Sequence, residues 1–124
     1  MSGYGRRVNV VTLIGNLATD VELKTLGEGK RVCSFVLAVD RVSKEGGADF
    51  VRIAVWDRQA ELCDRYLAKG KRVGLDGRLR SRTWEDANGK RRSALEVVAN
   101  RVEFLSPPAG EEGASEVPFM ATAV

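Results

Sequence analysis

The stretch Phe50-Val51-Arg52-Ile53-Ala54-Val55-Trp56 alternates aliphatic side chains with aromatic and basic ones. A β-strand turns successive side chains to opposite faces. Val51, Ile53 and Val55 therefore share one face, and Phe50, Arg52 and Trp56 share the other. Val73 to Trp84 (VGLDGRLRSRTW) repeats the pattern: Val73, Leu75 and Leu79 are expected to face a core, and Arg78, Arg80, Arg82 and Trp84 to face away from it. Arginines without partners are too costly to bury. That second face must be wet or meet anions, and one bearing two tryptophans and four arginines suits stacked bases and phosphates.

The length of 124 residues allows one compact domain and not two ordinary ones. No run reaches the roughly 18 apolar residues of a membrane helix. Met1-Ser2-Gly3-Tyr4-Gly5-Arg6-Arg7 is basic, but no uninterrupted apolar stretch follows it, so a signal peptide is not expected and the cytoplasm is the expected location. The net charge of +3 is unevenly spread. All twenty Lys and Arg fall at or before Arg101, and Glu111, Glu112 and Glu116 are the three of the seventeen carboxylates that lie beyond residue 106, so residues 1–106 carry +6 and residues 107–124 carry −3. A basic body with an acidic tail points to an anionic partner.

The chemistry that the chain lacks is equally informative. It has no histidine, the commonest general base near neutral pH, and no evident carboxylate pair, so an enzyme is not expected. Cys33 and Cys63 are the only cysteines, and two thiols without histidine fall short of the usual zinc set. Both sit in apolar surroundings and are expected to be buried and reduced, with no metal or cofactor. Gly27-Glu28-Gly29-Lys30 lacks the spacing and final Ser or Thr of a phosphate loop and reads as a turn.

Along the chain, Val8 to Leu17 predicts a first strand bent at Gly15, with Val21 to Lys24 extending it. Val32 to Val39 and Phe50 to Trp56 are the second and third strands. Leu62, Cys63, Tyr66 and Leu67 form one helical stripe, with Asp57 as N-cap and Gly70 as stop. Val73 to Trp84, a hairpin turn at Asn88-Gly89, and Arg91 to Leu105 complete the pattern, with Leu95, Val97 and Ala99 on one face of the last strand. Pro107-Pro108 ends it, and residues 107–124 read as a flexible tail. The fold class expected is all-β: a five-stranded OB-fold barrel with one short helix between strands 3 and 4. An SH3-like barrel is the rival, but it usually lacks that helix.

Val8 to Leu17 with Asp20-Val21-Glu22-Leu23, Phe50 to Trp56, Ala60 to Gly70, Gly77 to Trp84 and Leu95 to Ala99 together resemble the bacterial single-stranded DNA-binding protein family, in order and nearly without gaps. The resemblance implies that Phe50, Trp56 and Trp84 stack on bases. It further implies backbone contacts by Arg6, Arg52, Arg58, Lys69, Arg80 and Arg82. Arg78 joins these candidates through its place on the same strand face. An aromatic position of the family near the end of the second strand has no counterpart in Asp40-Arg41-Val42-Ser43, and Val51 stands where relatives often have histidine. The resemblance also implies a homotetramer acting in DNA replication, recombination and repair, associated with the nucleoid.

Glu116-Val117-Pro118-Phe119 resembles the Pro-Phe ending through which family tails dock on replication and repair proteins. Here Met120 to Val124 follow it, so Glu116, Pro118 and Phe119 are candidate docking residues in an altered setting. Besides a domain that recognises RNA or oligosaccharide, which OB folds also bind, two functions stay open at this point. One is a protein that coats single-stranded DNA; the other is an OB-fold interaction module of a nucleoprotein complex that binds nucleic acid only weakly.

Overall fold

The computed structural model describes residues 6–43 and 45–106. Six strands form: β1 (Val11–Leu17), β2 (Glu22–Thr25), β3 (Arg31–Asp40), β4 (Ala48–Trp56), β5 (Arg72–Glu85) and β6 (Arg91–Phe104). A single α-helix, α1 (Asp57–Tyr66), lies between β4 and β5. The sheet order is β1-β5-β6-β4-β3-β2, and β1 also pairs with β3. Strands β1, β5, β6, β4 and β3 therefore form an unbroken ring of hydrogen-bonded neighbours, with β2 attached outside it at β3. Every pairing is antiparallel except the short β4–β6 contact.

An all-β architecture with one helix is what the alternation implied, but the helix follows the fourth strand rather than the third. The expected first strand is in fact two. At Ala18 to Val21 the chain leaves β1, which pairs with β5, and enters β2, which pairs with β3. Polar bonds fix this corner: Val36 N–H donates to Thr19 Oγ1 at 3.1 Å, and Lys69 N–H donates to Asp20 Oδ1 at 2.9 Å. Alternation continues on both sides of the corner, so periodicity alone hid the break. The helix start also differs from expectation. Asp57 is its first residue, at φ 60°, and Trp56 occupies the cap position without a side-chain cap bond.

The core is built from the inner faces of the ring. Phe35 and Leu37 of β3, Ile53 and Val55 of β4, Val73 and Leu75 of β5, and Val97, Val102 and Phe104 of β6 are all buried. Ala60 and Cys63 of α1, with Leu67 just beyond it, cover one end. Cys33 and Cys63 are buried and free, as expected. The hydrogen bond to Cys33, followed by burial, pushes the Cys63 thiol well above its ordinary range.

A bulge at Asp76/Gly77 shapes the β5–β6 pair: Asp76 faces Arg101, Gly77 faces Ala99, and Asn100 is the extra residue. The inner face of β6 thereby switches from Val102 and Phe104 to Val97 and Ala99. Gln59 of α1 satisfies the backbone that the bulge frees, donating to Asn100 O at 2.8 Å and accepting from Val102 N–H at 3.1 Å. Gly77 permits the close approach, because a Cβ there would run into the carbonyl oxygen of Val98.

Past the bulge the two strands outrun the rest of the sheet. β4 reaches β6 only at Ile53–Val97 and Ala54–Val98, whereas β5 and β6 stay paired out to Glu85–Arg91. Leu95 on this arm, and Leu79 at its start opposite Val97, are exposed, contrary to the inward placement that alternation gave them. At the arm tip, Asp86 accepts bonds from Asn88 N–H, Lys90 N–H and Arg92 Nε, each at 2.9 Å, and Gly89 supplies φ 78°.

Candidate nucleic-acid interface

Register sets the outer face residue by residue. On β4 the outward set is Phe50, Arg52, Ala54 and Trp56; on β5 it is Arg80, Arg82 and Trp84, opposite Glu96, Ala94 and Arg92 of β6. Ser34 of β3 stands opposite Ala54, and Val32 opposite Trp56. These strands curve into a groove lined by Arg52, Trp56, Arg80 and Arg82, with Lys24 and Glu22 of β2 on the far rim and Glu96 at its floor.

Glu96 is the centre of this groove. Although charged, it is 3% exposed. Its carboxylate takes both Nε and one terminal nitrogen of Arg80 on Oε2. Its Oε1 lies 3.6 Å from Arg52 Nε and 3.8 Å from Arg82 Nε. Arg52 also reaches Ser34 Oγ at 3.4 Å. Arg82 stacks its guanidinium over the Trp84 ring, 4.5 Å from the centroid, toward the tip of the arm. One buried acid thus gathers three arginines from two strands, and one of those arginines supports a tryptophan.

The aromatic candidates are spread over this face. Trp56 is half-buried within the groove, Trp84 is 40% exposed beside Arg82, and Phe50 is 68% exposed near the other end of β4. At about 3.3 Å per residue, Phe50 and Trp56 stand roughly 20 Å apart, so they offer separate platforms rather than one stack. Val42, in the region where the family resemblance called for a further aromatic, is fully exposed.

The remaining basic candidates lie elsewhere. Arg78 faces outward but turns to Asn100 Oδ1 at 3.4 Å, beside the bulge. Arg58 is on α1, in a second groove with Arg31, Glu61 and Arg65. Lys69 is exposed past the helix, and Arg6 is exposed ahead of β1. Glu116, Pro118 and Phe119 lie outside the described residues.

Sequence reasoning missed Glu96, Ser34 and Lys24 as groove residues. Glu96 had a visible signal: it is the one charged residue between Leu95 and Val97-Val98-Ala99, an apolar run that a solvated acid would interrupt. Among the described residues, no group of three His, Cys, Asp or Glu is placed to hold a metal ion, and no helix is long and apolar enough to cross a membrane.

An open sheet face that joins ring platforms to an arginine cluster belongs to the proteins that handle flexible polyanions with exposed rings. Comparison with known sequences agrees, since the profile of the Single-strand binding protein family matches residues 8–105. The chain belongs to that family. It is 50% identical over 102 residues to a single-stranded DNA-binding protein of Clostridium tetani, an alignment covering 79% of this chain and 70% of that protein. Single-stranded DNA-binding protein 3 of Clostridium acetobutylicum is 48% identical over 102 residues, covering 79% of this chain and 71% of the relative. Single-stranded DNA-binding protein 1 of Staphylococcus aureus (strain MSSA476) is 43% identical over 104 residues, covering 81% and 67%.

Proposed function

We propose that this protein binds single-stranded DNA with little sequence preference and protects it during replication, recombination and repair, without catalysing a reaction. The observation that carries the reading is the groove lined by Arg52, Arg80, Arg82 and Trp56, with Trp84 and Phe50 on the same sheet face. Stacking accepts any base, because every base has a π-face, and arginine neutralises any phosphate. Neither reads base edges. The ring of five strands with β2 outside it is read as the OB-fold barrel, residues 1–106 as its domain and residues 107–124 as the mildly acidic tail. Arg6, Arg58, Lys69 and Arg78, set apart from the groove, are read as contacts for a strand that continues around the body.

The same reading includes a homotetramer located in the cytoplasm at the nucleoid. Support for self-association comes from Val8, Val10 and Ile14, apolar side chains exposed at 83%, 72% and 52% along one chain segment. Contiguous exposed apolar surface marks an interaction site. Glu116, Pro118 and Phe119 are read as a docking segment for replication and repair proteins.

Tryptophan fluorescence titration with oligo-dT and duplex DNA at low and high salt tests this function. Quenching by oligo-dT, little response to duplex, and weakening at high salt are expected. Trp56→Ala and Trp84→Ala should each weaken binding while the fold persists, whereas Phe35→Ala should damage the fold first. No response to any single strand would overturn the reading and favour a module that assembles proteins.

A further inference from the structure

The groove contains an anion of its own among its arginines. Glu96 is held in β6, 3% exposed, and its ion-pair partners among the described residues are Arg52, Arg80 and Arg82. Guanidinium binds carboxylate and phosphate through the same planar fork of donors. Arg80 already directs one edge of its fork, Nε and a terminal nitrogen, at Glu96 Oε2. A phosphate arriving at Arg80 must settle for the remaining edge or displace the carboxylate. Arg52 and Arg82 are held less closely, at 3.6 and 3.8 Å from Oε1, and stay about 42% and 34% exposed.

We propose that Glu96 is an intramolecular competitor with DNA phosphate for Arg52, Arg80 and Arg82, and so sets how firmly the groove holds a strand and how readily it releases it. The inference rests on the single-strand reading above and adds a residue to it. Because Glu96 is tethered, its local concentration at the arginines is fixed and high, and it re-engages whenever a phosphate lets go. It also keeps the cluster at a net charge of +2 rather than +3. Stacking on Trp56 and Trp84 then carries a larger share of the affinity, and a duplex, whose bases are hidden, gains less from the groove.

Glu96→Gln tests this, because it keeps the shape and removes the charge. Affinity for oligo-dT and its dissociation on chasing with excess oligo-dT are measured across salt concentrations, beside a thermal melt. Freeing one cation should steepen the slope of log K against log salt by about 0.7, so E96Q gains about fivefold over wild type on going from 1 M to 0.1 M salt. Dissociation should slow correspondingly. A merely structural acid would lower the melting temperature and the affinity without steepening the slope, and that result overturns the proposal. An unchanged slope overturns it too. If E96Q alone does not fold, R80Q is compared with R80Q/E96Q, in which the neutral pair can still hydrogen-bond; the same steepening is expected, and equal slopes overturn the inference. Wild-type protein that fails to bind oligo-dT removes the single-strand reading and the competitor role together, whereas wild-type binding with an unaltered E96Q slope removes the competitor role alone.

Discussion

Gly77→Ala should be the most damaging small substitution on β5, for a reason written in the ladder. A Cβ at position 77 would run into Val98 O and lie 2.8 Å from Ala99 Cα and 2.9 Å from Val98 C. All three obstacles are backbone atoms of β6, so no side chain can rotate aside. Restoring ordinary contact requires the strands to part by about 1 Å, which takes N–H···O bonds near 2.9 Å out of range. Losing two such bonds costs about 2 kcal/mol, and the residual overpacking adds about 1–3 kcal/mol. Reduced freedom of the unfolded chain returns about 0.4–1 kcal/mol. The net cost is therefore about 3 kcal/mol, or a fall of about 12–24 °C in melting temperature for a domain of this size. Thermal melts followed by circular dichroism, at one fixed protein concentration, provide the assay. Gly27→Ala is the control, since no atom lies within 4 Å of its added Cβ and its φ is not positive. That variant should melt close to wild type. A fall of under about 4 °C for G77A would mean that the strands yield cheaply, and the close-approach argument would be wrong.

Two further outcomes are expected. Arg82→Gln removes a guanidinium from the groove and from the Trp84 ring, so the salt slope of oligo-dT binding should become shallower by about 0.7, whereas Arg58→Gln, placed on α1 away from the groove, should alter the slope less. Equal changes would show that the two grooves are not distinct in binding. Arg92 first, then the Lys90 and Asn88 amides, hold the Asp86 carboxyl below the usual carboxylate range. Its folded pKa being depressed, its contribution to the arm is complete above the unfolded value of about 3.9 and is lost as pH falls through the folded value. Amide hydrogen exchange at Asn88 and Lys90 should therefore lose protection below about pH 4 by more than the acid-slowed chemistry predicts. Unchanged protection there would remove Asp86 as the brace of the turn.

Local alternation identified the strands whose outer faces carry the aromatic and basic side chains. Phe50, Arg52 and Trp56 share a face opposite Val51, Ile53 and Val55 because a strand has no other way to arrange them, and the Asn88-Gly89 turn follows equally from the needs of a tight hairpin. Arg80, Arg82 and Trp84 reached the correct side of β5 by the same rule. Where the rule failed, the cause was nonlocal. Leu79 and Leu95 have the pattern of core residues, but they lie at and past the last β4–β6 pairs, where β5 and β6 run on as two strands, and both are exposed. The corner at Ala18 to Val21 separates β1 from β2 because most of β1 pairs with β5, whereas β2 pairs with β3 alone. Asn100 shifts the inner face of β6 by one residue, and a shift of that kind is invisible until the opposite strand supplies the register.

Sequence by itself determined which side chains could meet a nucleic acid: arginines too costly to bury without partners, and the aromatic residues that alternation places on the same faces. Tertiary structure alone decided which of them act together. Arg52 and Arg80 come from strands that are not paired with each other, and they converge because β6 lies between them, pairs with both and presents Glu96 at the meeting point. The charge of that acid is written in the sequence. Its burial among three arginines is a property of register and curvature, and these fix only when the ring of strands closes.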